Sequence, residues 1–302
     1  MILTSSPALP AKDDEWAYEL KWDGMRAVVT VDGGDVRVYS RHGTEHTVGF
    51  PELRGLAAVL KGRSAILDGE LVCQDRDGKP SFARIRKRWI PGTAATAAAL
   101  AKSTPATFVA FDLIEFNGTR ITARSYEERR QALGELELCG PHWIVTDYQV
   151  GQGARLAAAS NQMGLEGIVA KRRRSAYRPG VQSSDWRKLK NFKRASYVIG
   201  GWIPTPGDGV EALLVGTRSP GGQLDFAGTV EFGLGRQREK LRELLQVIAA
   251  SETPFRGLHG ARRSRWVRPL LAADVKFLGF DAGVLREAIL QGVSLATEGK
   301  VG

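Results

Sequence analysis

The sequence predicts an α+β fold in two parts, and three observations carry the prediction. Its 302 residues are enough for two ordinary domains. Before residue 195, β-branched runs alternate with amphipathic helical stretches. Beyond it, short strands separated by Gly- and Pro-rich turns accompany a single helix. The first pattern is that of a mixed sheet covered by helices, the second that of a small β-barrel. The change of character at Phe192 to Ala195 gives expected domains 1–193 and 194–302.

Each element has a local reason. Ala27 to Val31 and Val36 to Ser40 flank Asp32-Gly33-Gly34-Asp35, a hairpin signal. Pro51 opens a helical stretch with Leu53, Leu56, Ala57 and Leu60 on one face. Ala65 to Gln74 and Thr107 to Phe116 are buried strands, with a basic segment at Arg84 to Arg88 and an Ala-rich short helix within Gly92 to Pro105 between them. Ser125 followed by Glu128 is a capping box for a helix reaching about Leu138, and another helix covers Ala154 to Met163. Strands are expected at His142 to Val150 and Gly167 to Lys171. In the second part, Tyr197 to Trp202, Ala212 to Thr217, Leu224 to Val230 and Trp266 to Phe280 are strands. Arg236 to Ala250 is an amphipathic helix with Leu241, Leu244, Leu245 and Ile248 on its apolar face. Short strands with one helix fit the oligonucleotide-binding (OB) type of barrel.

Composition narrows the function. The 43% hydrophobic and 25% charged fractions exclude disordered and fibrous classes. A formal charge of +10 and a pI near 9.8 suggest a polyanionic partner. No apolar run is long enough to span a bilayer and the N-terminus lacks a signal-peptide pattern, so a cytoplasmic protein is expected. Cys73 and Cys139 are far apart and encode neither a disulfide framework nor a zinc site. His42, His46, His142 and His259 show no metal spacing, and the glycines of 200–209 form no phosphate-loop signature. Any metal here is expected to be a hard cation held by carboxylates.

The chemistry begins at Lys21. It lies between apolar Leu20 and Trp22 in Glu19-Leu20-Lys21-Trp22-Asp23-Gly24-Met25-Arg26, where burial would lower the amine's pKa toward a nucleophilic form. Five further segments follow in order: Ser40-Arg41-His42-Gly43, Leu67-Asp68-Gly69-Glu70, Phe108 to Asp112, Glu166-Gly167-Ile168-Val169-Ala170-Lys171 and Trp186-Arg187-Lys188-Leu189-Lys190. Taken singly, each has a structural alternative: Phe111 as core, Glu70 as a strand-end charge, Lys188 and Lys190 as a solvated strand face.

Together they resemble the ordered motifs of the covalent nucleotidyltransferases, and most closely the bacterial ATP-dependent DNA ligases of the end-joining type, over essentially the whole chain. The resemblance implies a nucleotidyltransferase (adenylation) domain followed by an OB-fold domain, a minimal two-domain form. It implies that Lys21 becomes adenylated by ATP, that Glu19 and the Leu20 backbone read the adenine edge, and that Phe111 stacks on the base. By the same resemblance Glu70 lies near ribose and metal, Glu166 is a ligand for Mg²⁺ (or Mn²⁺), and Lys188 and Lys190 contact the α-phosphate. Arg26 and Arg41 match arginines that contact the nucleotide or the 5′-phosphate of a nick.

The same resemblance implies duplex DNA with nicks or ends as substrate, a DNA-end-binding or repair protein as a partner, no membrane, and a monomer. The charge runs Arg84 to Arg88, Lys171 to Arg174 and Arg262 to Arg268 are then expected to track a phosphate backbone. One departure stands out. Relatives carry Leu-Arg-His-Pro-x-Phe-x-Gly-Leu-Arg near the end of the OB domain, whereas this chain has Leu285 to Ser294, with Ser294 in place of the last arginine. That is expected to weaken self-adenylation more than sealing of an already adenylated end. RNA ligation or capping, and a weakened nucleotide- and DNA-binding module, remain as alternatives at this level.

Overall fold

The computed structural model describes residues 1–89, 92–258 and 263–296, and in it the chain divides into two compact units, one spanning Met1–Asn191 and one starting at Phe192. His259 and Arg262 lie outside the described residues.

The first unit is built on two sheets. One has five strands, in the order Ile2–Ser5, Gln182–Lys190, Gly167–Arg172, Trp16–Leu20 and Tyr148–Val150. The other is a seven-stranded sheet that includes Met25–Asp32, Asp35–Ser40, Ala65–Val72 and Thr107–Phe116. The hairpin turn has Gly33 and Gly34 at φ 53° and 97°, as a two-residue primed turn requires. The outer face of the second sheet buries Ala27, Val29, Val31, Leu67 and Phe108 with Leu53, Leu56 and Leu60 from the helical stretch after Pro51.

Several expected boundaries move. The helix begun by the Ser125–Glu128 capping box runs only over Tyr126–Gly134, because Glu137 adopts a left-handed φ of 51°. The stretch 142–150 is two strands: Trp143–Val145 pairs with Thr107–Phe116, whereas Tyr148–Val150 pairs with Trp16–Leu20 in the other sheet. An apolar run reads the same in sequence whether or not it changes sheets halfway. The basic segment forms a helix, Phe82–Trp89. Its Arg88 is buried, bridging Glu52 at 2.8 Å and the Gly49 and Thr104 carbonyls, so this residue is a structural clamp and the run is not a uniform phosphate-facing stripe.

The second unit winds a bulged strand, Lys193–Pro204, against Val210–Arg218, Arg265–Val267 and Leu271–Phe277, with Ile289–Leu295 beyond. The helix Arg238–Val247 inserts Leu241 and Leu245 into its core, leaving Leu244 exposed. No helix among the described residues is long and apolar enough to cross a membrane.

Candidate active site

Strand alternation assembles the site. Across an antiparallel ladder, opposite residues share a face. Glu19 lies opposite Val169, which lies opposite Lys188; Lys171 lies opposite Trp186, and Gly167 opposite Lys190. The period-two sets of three strands therefore converge on one side of the five-stranded sheet. The other side, with Trp16, Tyr18, Ile168 and Ala170, packs under the helix Gly153–Gln162 through Leu156 and Ala157. Lys21 follows at the strand end, its N–H donating to the Gly167 carbonyl at 2.9 Å. Two glycines permit the close approach. A Cβ at Gly24 would lie 2.2 Å from the Leu71 carbonyl, and Gly167, at φ 149°, would place one 2.0 Å from that of Leu189.

The second sheet faces this array with Arg26, Glu70 and Phe111, and the two sheets enclose a pocket that Glu19, Leu20, Lys21 and Lys171 also line. One wall is aromatic: Phe111 and Trp186 meet edge to face at 6.0 Å. The Lys171 ammonium lies 4.2 Å from each ring centroid, a cation–π arrangement on both. Lys171 is only 1% exposed and is ion-paired with Glu19 at 2.8 Å, while Tyr126 donates its hydroxyl to Glu19 at 2.5 Å. Burial pulls the Lys171 ammonium below its ordinary pKa, against the opposing pull of Glu19.

Lys21 itself is fixed by Glu166. Its Nζ donates to one Glu166 oxygen at 2.7 Å, and Lys190 takes the other at 3.1 Å. Burial works to raise the Glu166 carboxyl, but the two lysines prevail and hold it below the usual range. Glu70 behaves oppositely: desolvation pushes its carboxyl up to about 8, the charges of Lys21 and Arg26 opposing and those of Glu166 and Asp68 adding to the rise. Two carboxylates whose charges burden one another beside a phosphate-attracting lysine fit a hard divalent cation that takes its remaining ligands from phosphate oxygens. Among the described residues no third carboxylate, His or Cys completes an all-protein metal cage.

Arg26 is held in place from behind. Its Nε and Nη2 bind the two oxygens of Asp68 at 3.0 and 2.5 Å, and Tyr177 donates to Asp68 at 2.7 Å. Burial would raise the Asp68 carboxyl, yet Arg26 and Tyr177 hold it low. The guanidinium is thereby set 5.5 Å from the Phe111 ring. A second buried pair, Arg129 with Asp112 at 2.7 Å, ties the helix Tyr126–Gly134 to the strand that carries Phe111.

Of the residues singled out in the sequence, Lys21, Glu19, Leu20, Arg26, Glu70 and Phe111 line one pocket. Glu166 and Lys190 join it through Lys21, and Lys188 shares the sheet face with Glu19. Arg41 does not join them; it sits in an exposed loop, donating to His42 Nε2 at 2.8 Å. The run Lys171 to Arg174 also divides. Lys171 faces the pocket, Arg173 is ion-paired with Glu127 at 2.6 Å, and Arg172 and Arg174 are exposed. Once the register is known, strand period brings Lys171 and Trp186 into the pocket, two positions beyond Val169 and two before Lys188. The roles of Asp68 and Tyr126 were not legible in this way, since nothing local distinguishes a buried partner of a distant side chain.

Family models for the ATP dependent DNA ligase domain and the ATP dependent DNA ligase C terminal region match residues 5–190 and 206–294. The chain is 36% identical over 301 residues to the multifunctional non-homologous end joining DNA repair protein LigD of Mycobacterium tuberculosis H37Rv, covering 97% of this chain and 38% of that protein. It thus spans well under half the length of that relative. DNA ligase C1 of Mycolicibacterium smegmatis is 29% identical over 294 residues, 92% of this chain and 82% of the relative. A solved mycobacterial DNA ligase D complexed with ATP and MES superposes with a TM-score of 0.59 at 35% identity, over 99% of this chain and 95% of that one. With its adenylation region followed by an OB-fold region, this chain belongs to the ATP-dependent DNA ligase family.

Proposed function

We propose that this chain seals nicks or joins ends in duplex DNA, in the manner of end joining, through a lysyl-AMP on Lys21. The observation that carries the reading is the convergence of an amine, an aromatic wall and the Glu70 carboxyl on one pocket, with Glu166 ion-paired to that amine. In the first step the Lys21 amine, having lost a proton, attacks the α-phosphorus of ATP; an N–P bond forms, the bond to the β-phosphate oxygen breaks, and pyrophosphate leaves. AMP then passes to the 5′-phosphate of a DNA strand, and attack by the 3′-hydroxyl releases it.

In this reading Phe111 stacks on the base, and Glu19, ion-paired with Lys171 and therefore only an acceptor, faces its amino edge. Arg26, Lys188 and Lys190 stabilise the charge that develops on the phosphates. Glu70 and Glu166 are the groups that would hold Mg²⁺ or Mn²⁺, whose contribution is to neutralise phosphate oxygens. Arg41, exposed and outside the pocket, is better placed for a DNA phosphate than for the nucleotide. Incubation with α-labelled ATP and Mg²⁺ is expected to leave label on the protein, absent in Lys21→Ala. Freshly deadenylated wild-type protein that takes up no label would overturn the reading.

A further inference from the structure

A second, smaller recess opens on the reactive lysine. Lys21 and Glu166 form part of its wall, and Asp23, Lys79, Pro80, Gly164 and Leu165 complete it. It is distinct from the pocket that holds Phe111 and Lys171, and the two share only Lys21. None of the sequence motifs includes Lys79.

Lys79 is presented by a stiff turn. The Asp75 Oδ1 accepts from the Asp77 and Lys79 N–H groups at 2.9 Å each, the Asp75 N–H donates to the Lys79 carbonyl at 2.8 Å, and Gln74 bridges Pro80. From that turn the side chain reaches across to the one that precedes the strand Gly167–Arg172. There Gly164, at φ 68°, would place a Cβ 3.5 Å from the Lys79 Nζ. A glycine at that position leaves the mouth of the recess open beside the ammonium.

Charge completes the argument. Glu166 is already shared between Lys21 and Lys190, at 2.7 and 3.1 Å, and no ion pair to Lys79 exists among the described residues. Lys79 is thus a cation without an ion pair among the described residues, at the edge of a cavity whose wall contains the nucleophile and the Asp23 carboxylate. A compact ammonium in that position suits a phosphate oxygen, as a point charge able to donate in several directions.

We propose that Lys79 binds a phosphate group that passes through this recess during the reaction at Lys21. The proposal rests on the ligase reading above. The phosphate has two sources, the β- and γ-phosphates of ATP and the 5′-phosphate of the DNA strand, and the test separates them. Wild type, Lys79→Ala and Lys79→Arg are each charged with labelled AMP on Lys21. One arm discharges the label with inorganic pyrophosphate, and the other transfers it to a nicked duplex bearing a 5′-phosphate.

Loss of a charge-assisted contact lowers the affected rate on the order of 10- to 100-fold. A loss in the pyrophosphate arm alone assigns the recess to the triphosphate, and a loss in the nick arm alone assigns it to the strand end. Losses in both assign it to both. Recovery in Lys79→Arg shows that the positive charge, and not the packing of the turn, is responsible. Lys79→Ala within about twofold of wild type in both arms overturns the proposal. If the wild-type protein cannot be charged at all, the failure lies with the ligase reading and not with Lys79.

Discussion

The Lys171–Glu19 pair gives the sharpest energetic test of the pocket. The two residues are 1% and 2% exposed and 2.8 Å apart, so removing one charge strands the other in a desolvated site. In Lys171→Met the Glu19 carboxylate retains the Tyr126 hydroxyl but loses its counter-charge. Truncating one member of a buried pair costs about 3–5 kcal/mol. For a unit of this size each kcal/mol is worth about 2–4 °C, which places the fall in Tm on the order of 10 °C. Glu19→Gln is destabilising for the mirror reason, with the Lys171 ammonium left between Phe111 and Trp186. The double variant removes both charges, so its loss is smaller than the sum of the two by about 1–3 kcal/mol. Urea unfolding followed by tryptophan fluorescence measures all four corners of the cycle. Additive losses, or a cost below about 1 kcal/mol for Lys171→Met, would refute the claim that this pair is electrostatically coupled in a dry pocket.

Two further outcomes follow from the same geometry. The folded Glu70 carboxyl titrates near 8 against 4.5 for the free side chain, so between those values the folded state holds a proton that the unfolded state has lost. Stability therefore falls as pH rises from about 4.5 to about 8, by at most about 1.4 kcal/mol per pH unit, and this component is flat above. Glu70→Gln is expected to remove that slope in urea titrations at stepped pH; an unchanged slope would assign it to another group. Ser294, at the position where the family resemblance leads an arginine to be expected, is exposed on the strand Ile289–Leu295, opposite Ala272. Ser294→Arg is expected to speed lysyl-AMP formation severalfold while leaving the sealing of a pre-adenylated nick unchanged, and equal label uptake by the two proteins would count against the departure having any cost.

What could be read from the sequence, and what could not, follows from the range of the forces involved. Strand period is local, so Glu19 with Lys21, and Lys188 with Lys190, could each be placed on one face of their own strand before any coordinates. The same rule brings in Lys171 and Trp186 once the register is known. The capping box at Ser125 is equally local, and it forms as read. Charge runs are different, because a run says how many cations are adjacent and nothing about which way each one points. Arg88 turns inward to Glu52, Lys171 turns inward to Glu19, and Arg173 pairs with Glu127, so three of the cations expected to follow a duplex backbone are spent inside the first unit. The partners lie 36, 152 and 46 residues away, distances over which no pattern in the sequence carries information. The same reasoning explains Asp68. Its motif neighbour Glu70 is the residue that reaches the pocket, yet Asp68, completely buried, is the one that sets the Arg26 guanidinium in the pocket wall. Each of these pairs is neutral and leaves the net charge of +10 on the rest of the chain, but it shortens the runs open to a polyanion, and the cations that matter to the chemistry are those whose partners are themselves in the site.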